Sequence, residues 1–145
     1  MARDLFFLAH IIAALVGVVV LVSMKLTAQA AATGRGQLRL PTGRNWAARL
    51  IHLIPLTGFA VLGASQGTND PISFGQAWII SALVLYFVAA GALEMRVLPA
   101  ERELAAAHAK GEALEATTVR AMNRGLDVVL VAIALATIAM LVQWG

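Results

Sequence analysis

Four uninterrupted apolar runs constrain this chain more than any other feature. Charge-free stretches extend from Leu5 to Met24, Leu50 to Ala64, Ile72 to Leu93 and Val128 to Gly145. With the second extended back to Trp46, each is about 18 to 22 residues long, which is what a helix needs to cross about 30 Å of hydrocarbon. A backbone facing lipid must satisfy its own hydrogen bonds, so single spans of this length are helices. Barrel strands would be about half as long and would alternate apolar with polar residues, which these runs do not.

The expected fold is therefore all-α, an integral membrane four-helix bundle in one domain. Its spans lie at about 5–25, 46–64, 76–98 and 126–144, with loops at 26–45 and 99–125. Composition agrees. Of 145 residues, 60% are hydrophobic and 13% charged, whereas soluble domains run nearer half apolar and a quarter charged. The first run precedes "AQAAATG", which resembles a signal-peptide cleavage region. Its apolar stretch of about 20 residues exceeds the 7 to 15 of a signal core, so it reads as an uncleaved first helix.

Loop charges predict orientation. Lys25, Arg35, Arg39, Arg44 and Arg49 lie between or beside spans one and two, and Arg96, Arg102, Lys110, Arg120 and Arg124 follow span three. These two groups of five make ten of the eleven basic residues, leaving Arg3 on the other side. Short loops rich in Lys and Arg stay cytoplasmic, so both termini and the "SQGTNDPISFGQ" loop are expected outside, in a plasma (inner) membrane. The basic "GRGQLRLPTGR" loop suits anionic lipid headgroups. The second loop, "PAERELAAAHAKGEALEATTVRAMNRG", is rich in helix formers. It predicts one or two cytoplasmic helices broken near Gly111, the first opening at Pro99. Trp46, Trp78 and Trp144 fall at span ends, where an aromatic belt would place them.

Many chemistries are excluded. There is no cysteine, so disulfides, thiolate metal sites and cysteine nucleophiles are absent. No phosphate loop, nucleophile elbow or HExxH occurs, and the basic loops lack the aromatics that would stack nucleic-acid bases. What remains is a handful of polar residues in apolar runs, where ionisable groups face the bundle and pair with one another.

Arg49 at the inner end of span two and Glu94 near the inner end of span three predict a structural ion pair. Asp127 reads as a negative charge complementing the start of span four. His52, one turn beyond Arg49, is a candidate proton relay, metal ligand or haem ligand, and His10 in span one offers the same choice. Counting 1.5 Å per residue from the span ends puts these two histidines about 13 Å apart in depth within a core of about 30 Å, too far for one haem b in one chain. His108 belongs to the cytoplasmic loop and reads as solvated. Pro55 and Gly58 predict a kink or a close helix contact, with Thr57 supplying a freed hydrogen bond. Ala13 with Gly17, Ala60 with Ala64 and Ala132 with Ala136 are spaced for close helix approach.

"LAHIIAALVG" in span one, "PLTGFAVL" in span two, and a third span opened by a tryptophan and closed by "VLPAERE" resemble small bacterial four-span membrane proteins. Their pattern overlaps the CopD copper-resistance family. In this chain His10 is followed by Ala13 and Gly17, Val16 and Val18 flank that glycine, and no Trp-Gly-Gly occurs. The resemblance implies His10 as the ligand position. Met1, Met24, Met95, Met122 and Met140 are scattered rather than clustered as soft copper sites require.

Two functional readings follow. One is a non-enzymatic accessory subunit, or a homo-oligomeric bundle packing through small-residue faces. The other is a transport or redox component using His10 or His52, with Glu94, for a metal, a proton or haem. Lipid and a membrane protein partner are the expected company, and nucleic acid is not.

Overall fold

A computed structural model describes residues 1–33, 44–68 and 71–143. The predicted "GRGQLRLPTGR" loop up to Gly43, with Arg35 and Arg39, lies outside the described residues, as do Asn69, Asp70 and Trp144. The described residues are helical and contain no strand. Helix α1 covers Ala2–Ala32. A 3-10 turn, Ala48–His52, runs directly into α2, Leu53–Ser65. Helix α3, Ala77–Ala92, passes through a π turn, Leu93–Val97, into α4, Leu98–Ala109. Helix α5 covers Ala116–Gln143. Four helical stretches, Ala2–Ala30, Ala48–Ser65, Ala77–Ala109 and Ala116–Val142, are long and apolar enough to cross a membrane.

The shortest stretch shows how little length is spare. Its 18 residues would rise about 27 Å as pure α-helix. A 3-10 turn rises about 2.0 Å per residue, so five residues of it and 13 of α-helix reach about 30 Å, the hydrocarbon thickness.

The other helices outrun the predicted spans for identifiable reasons. Helix α1 continues through "KLTAQAAA", whose residues are mostly good helix formers, and the Ser23 and Thr27 hydroxyls donate back to Val19 and Ser23 carbonyls. Pro99 lies in the first turn of α4, as expected, but α4 is continuous with α3. The proline lacks the N–H that would bond the carbonyl four residues back, and its ring would collide there. The π turn widens the hydrogen-bond ladder just ahead of it, and α3 runs on into α4. The break near Gly111 is present. Gly111, at φ +70°, donates to the His108 carbonyl, while Glu112 donates to that of Ala107, the paired closure that needs a left-handed residue after a helix. The stretch before the predicted fourth span is not separate either, for α5 is unbroken from Ala116.

Backbones meet most extensively between α3 and α5, then between α1 and α2, with α1 and α5 joining the two pairs. The fully buried residues gather towards the end that carries the basic residues. Leu21, Met24 and Ala28 of α1 meet Ile51 of the 3-10 turn there, with Leu93 and Val97 of the π turn, Leu104 of α4, and Met122, Leu126 and Val129 of α5. Gly125 makes the tightest approach. A Cβ there would stand 2.7 Å from Val97 Cγ2, so only glycine lets α5 lie against the π turn. Consecutive helices α2 and α3 form no comparably close backbone pair; side chains bridge them.

Candidate functional site

Those bridging side chains include the polar residues singled out in the sequence. Asn45 Oδ1 accepts from the Ala48 N–H at 3.0 Å and so opens the 3-10 turn. Arg49 and Leu50 N–H groups then bond back three residues, to Trp46 and Ala47 carbonyls. In such a turn, side chains three apart eclipse one another, which aims Arg49 and His52 the same way, towards Glu94 on the π turn. Pro55 lies in the first turn of α2, where its missing N–H is tolerated. The expected departure from a straight α-helix thus lies ahead of the proline.

Arg49 Nε and Nη2 donate to the two oxygens of Glu94, each at 2.7 Å. This is the paired, planar arrangement in which a guanidinium and a carboxylate bind most strongly. His52 Nε2 lies 3.3 Å from Glu94 Oε1, and its Nδ1 lies 2.7 Å from the Tyr86 hydroxyl. A carboxylate only accepts, so the neutral imidazole donates from Nε2 and accepts the Tyr86 O–H at Nδ1. The result is one chain of hydrogen bonds, Tyr86 to His52 to Glu94, with Arg49 closing its far end. It is half-open. Side-chain exposures are 19% for Arg49, 34% for His52 and 37% for Glu94. Beside it the Trp46 ring lies 5.2 Å from the Arg44 guanidinium and 5.7 Å from that of Arg49, within cation–π range.

His10 is held elsewhere. Its Nδ1 donates to the Ile54 carbonyl at 2.9 Å and also meets Thr57 Oγ1 at 3.1 Å. The Thr57 hydroxyl donates to the Leu53 carbonyl at 2.7 Å. Gly58 makes room for the imidazole, since a Cβ there would stand 3.4 Å from His10 Cε1. One turn-pair along, Gly17 lets α1 approach the 3-10 turn, where its Cβ would meet Ile51 Cα at 3.7 Å. His10 is 8% exposed and is a strut between α1 and α2.

The expected gap in depth between the two histidines shrinks. His10 is level with Ile54–Gly58, about four residues or ~6 Å beyond His52. The residues still do not fit one haem between them. Both ring nitrogens of His52 are engaged by side chains, which leaves it no nitrogen for an iron. Among the described residues, no three histidine or carboxylate side chains converge to hold a metal ion. His108 is exposed.

Asp127 requires a correction. With α5 starting at Ala116, it is three turns inside the helix rather than at its start, and its carboxylate pairs with Lys25 of α1. Other partnerships had no forecast. Tyr86 is the chain's one tyrosine, two turns before Glu94, and that isolation was the available signal. Asn45 Nδ2 donates to Glu101 Oε1 at 2.7 Å and touches Met24 Sδ at 3.6 Å, which ties α1, the 3-10 turn and α4 together around a carboxylate only 3% exposed. Asn123 Oδ1 is buried with no partner among the described residues.

Comparison with known proteins found no match among family models, curated proteins or solved structures.

Proposed function

We propose that this chain is a non-enzymatic multi-pass protein of a bacterial inner membrane, with both termini outside and its basic loops in the cytoplasm. It acts as an accessory subunit or a homo-oligomer, docking through the edge between α2 and α3. The observation that carries this reading is the half-open Arg49–Glu94–His52 cluster on a seam where backbones do not pack closely. Charged groups at membrane depth face protein or water rather than lipid, and a second protein surface at this edge would provide that cover.

A photo-crosslinking residue at Leu56, exposed and one turn beyond His52 on the same side, tests it in intact membranes. The expected result is one defined protein adduct from Leu56 and only lipid adducts from the equally exposed Leu15 of α1. Lipid adducts alone from both positions would overturn the docking edge.

One observation favours a second reading, proton relay. Tyr86, His52 and Glu94 form an unbroken hydrogen-bonded chain, the arrangement used in membrane proton paths. Reconstituted vesicles with an acid-sensitive dye would then show proton flux that His52→Ala abolishes. Wild-type vesicles no leakier than protein-free ones would remove this reading.

A further inference from the structure

A second polar feature lies along the seam between α3 and α5. Leu85 and Val88 of α3, with Val128, Val131, Ala132 and Leu135 of α5, line a shallow groove of about 320 Å³. On α5, Arg124, Val128, Val131 and Leu135 are spaced four, three and four apart, so they share one helix face and Arg124 caps the groove at its basic end. Arg96 arrives there from the π turn. Its Cβ is 3.5 Å from where a Gly125 side chain would begin, so one arginine from each helix flanks the seam. Both are exposed, and neither has a carboxylate partner among the described residues.

We infer that this seam is a binding site for an anionic phospholipid, with an acyl chain in the α3–α5 groove and the phosphate between Arg96 and Arg124. Three observations meet. From Arg124 to Leu135 the groove runs about 16 Å, half of a hydrocarbon core of about 30 Å and thus the depth of one leaflet. Its walls are apolar apart from Asp127, whose charge Lys25 neutralises. Its mouth carries two guanidiniums with unused donors, and guanidinium is the side-chain group that best matches phosphate oxygens in pairs. Basic pockets between helices on the cytoplasmic side are where anionic lipids are recognised. This site rests on the chain's being membrane-embedded and is independent of the edge beside Leu56.

Native mass spectrometry of the full chain in mild detergent, titrated with chain-matched phosphatidylglycerol or phosphatidylcholine, tests the inference. Phosphatidylglycerol is expected to be retained preferentially. Arg96→Gln and Arg124→Gln should each weaken that retention about fivefold, as expected for one basic side chain near an anionic lipid surface. Arg3→Gln, at the opposite end of α1, should change nothing. Val131→Trp, which fills the groove and leaves both arginines in place, should weaken retention of both lipids. Equal retention of the two lipids by the wild type would overturn the site, and so would indifference to both arginine substitutions. Glycerol phosphate binding as tightly as the lipid would overturn the role of the groove. A dimer that persists without lipid and dissociates in Val131→Trp would give the groove to a second copy instead.

Discussion

His10 and His52, in the first two apolar helical stretches, stand about one helical turn apart in level and could hardly be treated more differently. His10 is closed in between α1 and α2, its Nδ1 on a backbone carbonyl and Gly58 so close that a Cβ there would touch its ring. His52 is open between α2 and α3, with one ring nitrogen on a phenol and the other near a carboxylate. The difference lies in the type of partner. A helix carbonyl cannot change its charge and moves only with its helix, so the His10 contact serves packing. Tyr86 and Glu94 can both exchange protons, so His52 belongs to a chain with more than one arrangement.

Substitution separates these roles most strongly at Gly58. Gly58→Leu drives a branched side chain into the space of the His10 ring, and overpacking of this kind costs about 1–3 kcal/mol. Denaturant titration followed by helical circular dichroism in detergent would read the loss. His52→Phe, adding bulk at the open site, should shift the same transition far less. Equal shifts would mean that the closed and open sites are not distinct.

Next in size is truncation. His10→Ala removes a buried ring and its hydrogen bond, a loss of about 2–3 kcal/mol by analogy with other large-to-small interior changes. His52→Ala leaves partners that are themselves partly open, and should cost under about 1 kcal/mol. A reversal of this order would exchange the two assignments.

Why these contrasts were only partly legible follows from what a sequence records. Apolar run length and the absence of charge are one-dimensional, so four helices long and apolar enough to cross a membrane could be read directly, and so could the pairing of Arg49 with Glu94. Helix rotation is set by packing, and that is where reading stopped. Nothing along span one says that His10 turns towards Ile54, or that α1 begins at Ala2, which sets His10 deeper than a count from Leu5. Asp127 was misread because charges around Arg120 and Arg124 look like a loop, while the chain there contains no residue able to stop a helix except Gly125. That glycine, packed on Val97, serves a close contact instead. Pro99 does mark the start of α4, but the π turn that joins α4 to α3 leaves no simple pattern in composition.

A finer test keeps His52 in place and alters only its partner. Tyr86→Phe removes a hydroxyl 2.7 Å from Nδ1 and retains the ring that stands edge-on to the imidazole. A half-open hydrogen bond of this kind sits at the low end of the usual range, about 0.5 kcal/mol, so the unfolding midpoint should fall slightly, and His10→Ala should add to it independently because the two sites share no partner. A double variant departing from additivity by more than about 0.5 kcal/mol would show the two sites to be coupled.

The mildest probe leaves the sequence and the fold alone and asks which imidazoles a reagent can reach. Carbethoxylation of the folded protein, followed by peptide mass spectrometry, should modify His108 first, because it is exposed beyond the apolar part of the bundle. His52 should follow slowly, since about a third of its side chain is accessible but each nitrogen must leave a hydrogen bond before it can react. His10, 8% exposed, should stay unmodified until the helices separate, so its labelling should track the unfolding curve. Tyr86→Phe sharpens the contrast further: freeing Nδ1 should speed labelling of His52 and leave His10 untouched. If His10 were instead labelled as fast as His52 in the folded protein, α1 and α2 would be parting readily at that level, and the strut assigned to His10 would be a second opening in the bundle.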